Sequence, residues 1–312
     1  MRLAENLSSL SDSLKNGTYR QGNYYTFMVH DPKDRVIHAL RYPDRVVQHC
    51  LCDRILAPAI DRRLIYDNAA CRIEKGTDFA LNRLSGFLRA HYRRHGTDGF
   101  FLKCDIRKFF DNIDHDVLKE KLRRVFSEDA LLKLLDHIID SYCTAPGKGL
   151  PLGNQTSQWF AIYYLDGLDR LVKERCRMPF YTRYMDDFVL VYHDREQLTK
   201  VRRTMADYLE GTLKLSFNEK TQIIPLKNGC PYLGFRFYLS DSGKVFRKLG
   251  NTTKTRMKHR MKKLSEDYAA RTIDFDDAKQ VITSYRAHLS KGHCFRLQKS
   301  DLLVTLKRDP SG

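Results

Sequence analysis

The 312-residue sequence predicts an α+β fold, with a sheet layered against helices in its middle and a basic helical lobe at its end. Three observations carry this. Strand-like and helix-like segments alternate between residues 100 and 240, a pattern that buries a sheet under helices on one face. FYTRYMDDFVLVYH (180–193) reads as a hairpin, two aromatic or β-branched runs flanking a short polar centre. From about residue 245 onward the chain turns basic and helical.

The elements follow in order. DRVVQHCLCDRILAPAI (44–60) repeats its apolar residues at helical spacing. FFLKCDI (100–106) reads as a buried strand. HDVLKEKLRRVF (115–126) and SEDALLKLLDHIIDSY (127–142) read as helices, the second with Ser127 as its N-cap. SQWFAIYYLDGLDRLVKERC (157–176) reads as one long helix, and QLTKVRRTMADYLEGTL (197–213) as another. PYLGFRFYLS (231–240) reads as a strand pair or turn.

Net charge is +17, and residues 241–312 hold 17 Lys/Arg against 8 Asp/Glu. Such a surface attracts polyanions at long range. No stretch approaches the roughly 20 apolar residues of a membrane span, so no membrane partner is expected. The polar N-terminus MRLAENLSSLSDSLK lacks a secretory h-region, which points to the cytoplasm. Eight scattered cysteines form no CxxC pair, so they read as reduced, mostly buried thiols rather than zinc ligands.

Asp186 and Asp187 sit at the tip of the expected hairpin, and Asp105 ends the expected strand. Two adjacent aspartates alone would suit a solvated turn. Here apolar residues flank them, and a third carboxylate is expected beside them. Carboxylates gathered near a buried sheet repel unless a cation neutralises them. Mg²⁺ takes hard oxygen ligands, and a pair of ions about 3.5–4 Å apart serves nucleotidyl transfer. Asp105, Asp186 and Asp187 are therefore the expected metal ligands, with the Ile106 carbonyl as a further one and Mn²⁺ as a substitute. Whether Asp187 binds metal or supports Asp186 stays open.

These residues resemble reverse transcriptases in an ordered set of motifs. YMDD (184–187) resembles the YxDD box, and CDIRKFFDNID (104–114) the first catalytic motif. GLPLGNQTSQWFA (149–161) resembles the template- and nucleotide-contacting motif, LKLSFNEKTQII (213–224) the motif after the hairpin, and YLGF (232–235) the primer grip. PKDRVIHALRYPDRVVQH (32–49) and YDNAACRIEKGTDFAL (66–81) resemble fingers motifs of bacterial members. The Gly-x-x-x-Ser-Gln form at Gly153–Gln158 resembles the reverse transcriptases of diversity-generating retroelements.

The resemblance implies a right-hand polymerase: fingers with part of the palm over 1–100, palm over 101–240, and a helical thumb over 241–312. It implies a prokaryotic enzyme that copies an RNA template from a DNA or RNA primer with dNTPs. Phe110 would be a steric gate against ribonucleotides. Lys33 or Arg35, with Arg72, would grip the triphosphate, and Gln158 would bear on base choice. Gly153 and Gln155 would serve the template, in a stretch that also suits a helix-start turn capped by Thr156, and Lys220 would protonate the leaving pyrophosphate. Tyr232, Leu233 and Gly234 would place the primer end. Lys254, Lys258 and Lys262, one turn apart on KTRMKHRMKKL (254–264), would meet duplex phosphates, with Met257, Met261 and Leu264 turned inward. His288 and His293 are expected to pack rather than bind metal. A structured non-coding RNA and a small basic accessory protein are the further partners implied. The competing readings are an antiphage defence enzyme, a maturase-like RNA-binding protein and an RNA-copying RNA polymerase, the last opposed by Phe110.

Overall fold

Residues 3–30, 34–295 and 297 are described by the computed structural model of the chain. Lys33 and most of the last seventeen residues lie outside them. Helix α1 (Leu3–Lys15) leads into a two-stranded hairpin of β1 (Tyr25–Val29) and β2 (Arg35–Ala39). The helix expected over 44–60 forms as α2 (Tyr42–Leu51), a π-helical turn at Cys52–Leu56, and α3 (Ala57–Asp61). Helix α4 (Thr77–His95) follows, in a stretch where no element was expected.

The central sheet is built on β3 (Phe100–Asp105). After it come α5 (Phe109–Asn112), α6 (His115–Arg123), α7 (Asp129–Asp140), α8 (Gln155–Tyr164) and α9 (Asp166–Arg170). The hairpin expected at 180–193 forms as β4 (Tyr181–Tyr184) and β5 (Asp187–Tyr192). Helix α10 (Arg195–Leu213) leads to β6 (Gln222–Pro225), and the sheet order is β4-β5-β3-β6. A second sheet runs β7 (Cys230–Tyr232), β8 (Phe235–Leu239), β9 (Val245–Leu249). Helices α11 (Asn251–Ala269) and α12 (Phe275–Ser290) close the described chain.

Helices were expected on one face of the sheet, yet both faces are covered. Leu102, Cys104, Phe188 and Leu190 join the core built with α8 and α10. Phe101, Val189 and Val191 point the other way, as strand alternation requires, and pack with Leu81, Leu84 and Leu88 of α4. A sheet buried twice reads as a continuous apolar run, which is what 188–191 shows, and 100–104 too but for Lys103.

Four local expectations are corrected. Glu128, not Ser127, holds the N-cap position of α7, and Asp129 in the first turn supplies the negative charge that suits a helix start. Thr156 does not cap α8, because its hydroxyl is buried against Gln48 Oε1 at 3.1 Å. The long helix of 157–176 breaks at Leu165, two residues before Gly167, where the Tyr208 hydroxyl fills the space a Cβ would take. Residues 245–249 form a strand rather than helix, since Val245 and Leu249 turn inward and pair with β8.

In α11 the expected inward face is present, with Met257, Met261 and Leu264 all buried. His288 stacks on Phe235 and His293 Nδ1 accepts from the Arg247 amide at 3.1 Å. Cys52, Cys104, Cys230 and Cys294 are buried, whereas Cys50 and Cys143 are exposed. No helix among the described residues is long and apolar enough to cross a membrane.

Candidate active site

Asp105 and Asp187 are direct partners across β3 and β5. Tyr184 pairs with Asp187 across β4 and β5, so Met185 and Asp186 form a two-residue turn. The three carboxylates therefore meet at one end of the sheet. Strand alternation puts Lys103 on the face of Asp105, and its ammonium contacts the Asp187 carboxylate. It also lies over the Tyr232 ring, 5.5 Å from the centroid.

Like charges directly opposite on a sheet are unfavourable. Burial pushes the Asp186 carboxyl above its ordinary range, and Asp105 pushes it further. Burial holds the Lys103 ammonium below the usual lysine range. The cluster thus has more negative charge than one lysine offsets, and its donors are hard oxygens suited to Mg²⁺. The side chains alone do not form a ready three-ligand cage of His, Cys, Asp or Glu among the described residues.

The main chain adds a donor. Asn218 N donates to Asp105 O at 2.8 Å and Arg107 N to Ser216 O at 3.0 Å, around the facing pair Ile106 and Phe217. In that antiparallel pattern the Ile106 carbonyl points away from the ladder. Thr221 Oγ1 accepts from the Asp105 amide at 3.1 Å, so the segment carrying the exposed Lys220 is laced to β3.

Phe109 is core and Phe110 is half-buried at the start of α5. Leu150 N donates to Phe110 O at 2.8 Å, and His38 N donates to Leu152 O at 3.0 Å. The loop before α8 is thereby tied both to Phe110 and to the β1–β2 hairpin. Gly153 sits in this loop at φ +115°, and a Cβ there would lie 2.8 Å from Ile37 Cγ2. Only glycine accepts that backbone shape without strain.

The glutamines are oriented. Gln155 donates to Asp53 Oδ1 at 3.0 Å, and the Cys71 thiol donates to Gln158 Oε1 at 3.2 Å. Arg35 is exposed on β2. Arg72 turns its fork onto Asp61, the Ile65 carbonyl at 2.7 Å and the Asn68 carbonyl at 3.2 Å, which fastens the 61–72 segment. Tyr232 is buried, and Leu233 (φ 48°) and Gly234 (φ 85°) make the tight turn into β8. Gly250 N donates to Gly234 O at 2.9 Å, which joins this turn to α11. Lys254 is half-buried on the first turn of α11, and Lys258 and Lys262 are exposed further along.

Sequence reasoning missed Lys103, Arg183 and Asp169. Arg183 and Asp169 are fully buried and paired at 2.6 Å. A lysine two residues before a strand-end aspartate, and an arginine inside an apolar strand, were the available signals.

A polymerase palm is the class of structure this sheet and carboxylate cluster define. The family profile for Reverse transcriptase (RNA-dependent DNA polymerase) matches residues 29–237, and the chain belongs to that family. It is thereby placed among RNA-directed DNA polymerases, enzymes of nucleotidyl transfer, with the right-hand fold. A curated relative is Protein YkfC of Escherichia coli (strain K12), 26% identical over 280 residues, covering 75% of this chain and 72% of the relative. Telomerase from Candida albicans, solved in complex with a TWJ fragment of telomeric RNA, has a TM-score of 0.57 and 14% identity over 97% of this chain and 63% of its own. Apo telomerase from Candida tropicalis has the same score and identity over 78% of this chain and 53% of its own. This chain spans less than two-thirds of either telomerase chain, and the likeness is one of fold.

Proposed function

We propose that the chain copies RNA into DNA, extending a DNA or RNA primer with dNTPs, as the reverse transcriptase of a diversity-generating retroelement. The observation that carries the polymerase reading is the register of Asp105 opposite Asp187, with Asp186 in the adjoining turn. The retroelement reading rests on the Gly-x-x-x-Ser-Gln form at Gly153–Gln158. A structured template RNA and a small basic accessory protein are its partners.

Asp105, Asp186 and the Ile106 carbonyl would hold two Mg²⁺ or Mn²⁺ ions, with Asp187 as the adjoining carboxylate. When bound, the ions make the primer 3′-hydroxyl a better nucleophile and offset charge on the departing pyrophosphate. The chain's own groups do the rest. Phe110 occupies the space a 2′-hydroxyl would need. Lys33 or Arg35 meets the triphosphate, while Arg72 fastens the 61–72 segment, and Lys220 delivers a proton to the leaving group. Gln155, Gln158 and Gly153 border the templating pair. Tyr232, Leu233 and Gly234 seat the primer end, and Lys254, Lys258 and Lys262 follow the duplex backbone without reading sequence.

Asp186→Asn tests the reading. It is expected to abolish dNTP incorporation on a primed RNA template while RNA binding in a filter assay stays near the parent value. Retained synthesis would reject the site.

A further inference from the structure

The turn between β4 and β5 is strained. Met185 has φ 55° at the first central position of a two-residue hairpin loop, where glycine is favoured. Bulky side chains occupy that region at a cost and stay there only where their surroundings fix them. Met185 immediately precedes Asp186, so whatever fixes its peptide also fixes that carboxylate.

The fixing group is Arg183. Its Nη1 donates to the Met185 carbonyl at 3.0 Å. Its Nη2 donates to the Ile162 carbonyl of α8 at 2.9 Å and to Asp169 Oδ2 at 2.6 Å. Its Nε donates to Asp169 Oδ1 at 2.7 Å. The Tyr181 hydroxyl donates to the same Oδ1 at 2.6 Å. One planar fork thus joins β4, α8, α9 and the turn, and both charged side chains are fully buried. A lysine could make one of these bonds but not the set.

A buried ion pair is a costly way to fill space, because both charges lose their water and an apolar pair of similar volume often serves stability as well. What the apolar pair would not supply is a donor aimed at the Met185 carbonyl. We propose that Arg183, oriented by Asp169, is a positioning residue for nucleotidyl transfer. It locks the left-handed Met185 peptide and so sets Asp186 against Asp105. It touches neither substrate nor metal and acts through the turn. This inference rests on the polymerase reading above.

The double variant Arg183→Met with Asp169→Leu tests it, since it removes both charges and keeps the volume. Its thermal midpoint is expected to stay near that of the parent chain. Its kcat on a primed RNA template is expected to fall about 10- to 100-fold, the effect of a small misplacement, with KM for dNTP within about twofold. Mn²⁺ binding to the chain alone, followed by electron paramagnetic resonance, is expected to weaken by about tenfold or more, as for other lost supports of metal ligands. Parent-like kcat and Mn²⁺ affinity in a folded double variant would overturn the proposal. If that variant does not fold, Arg183→Lys carries the test, because it keeps a charge beside Asp169 and forfeits the Met185 bond. The same losses are expected, and unchanged values overturn the proposal. A parent chain inert on RNA would instead reject the polymerase reading, and the Mn²⁺ titration would still decide the role of Arg183.

Discussion

The amide of Leu150 donates to the carbonyl of Phe110 at 2.8 Å, which makes the loop before α8 and the start of α5 one rigid piece. The Phe110 ring is therefore presented by backbone tied to that loop. Phe110→Ala should admit ribonucleotides. Discrimination against them is expected to drop about 10- to 200-fold, the range a pocket contact of this size supplies. Single-nucleotide incorporation with a dNTP and its ribonucleotide counterpart measures this, and an unchanged preference would remove Phe110 from the sugar pocket.

Gly153→Ala should disturb the same loop from its other side. The new Cβ would sit 2.8 Å from Ile37 Cγ2 at a φ of +115°. A loss of about 1–3 kcal/mol in urea unfolding is expected from the backbone strain. Displacement of the β1–β2 hairpin should also raise KM for dNTP. A parent-like urea midpoint would mean that the hairpin yields freely.

Lys103→Met leaves Asp187 without the ammonium it contacts. The metal-free variant should lose roughly 1 kcal/mol, the low end of the cost of leaving a polar group unpaired, because the Asp187 side chain keeps 28% exposure. Divalent cation should then raise its melting temperature by more than it raises that of the parent chain, because the ion need not compete with an ammonium. Equal shifts in a fluorimetric melt would show that Lys103 does not screen the cluster.

His91 gives a pH dependence with a definite sign. Its Nε2 lies 2.7 Å from the Asp98 carbonyl, the ring is buried, and burial holds its pKa below the usual histidine value. The unfolded chain therefore binds a proton that the folded ring resists. The stability involved is present above about pH 6.5 and is lost as pH falls through the depressed value. His288 is lowered by burial too and acts in the same direction. Melting temperature should decline from about pH 7.5 to about pH 5.5, and His91→Gln should flatten that decline. An identical slope in the variant would assign it to other groups.

Much of this arrangement was legible in the sequence because the informative patterns are local. Apolar runs around Asp105 and around Asp186–Asp187 revealed β3 and the β4–β5 hairpin, and the expected inward face of α11 is the observed one. What escaped depends on contacts far apart along the chain. Arg183 looks like a polar position on a strand until Asp169, fourteen residues earlier, is seen beneath it. The break at Leu165, two residues before the point where Tyr208 approaches Gly167, leaves no trace in a helical pattern. Helix α4 went unread although it covers half of the sheet. The segment 245–249 was read with its basic surroundings, whereas its two inward apolar residues decide its pairing with β8.

The β8–β9 pair straddles residue 240, the boundary drawn between palm and thumb. Tyr92 of α4 donates to the Asp241 carbonyl at 2.8 Å, and Arg247 of β9 donates to Asn82 at 3.1 Å. His293 N, past the end of α12, donates to Arg247 O at 2.7 Å. The basic helix α11 and the helix α12 that follows it hang from a bracket bolted to α4, so a load placed on them is carried into α4 as well. Severing the chain at 240 would remove the bracket, whereas a cut after 249 would leave it standing.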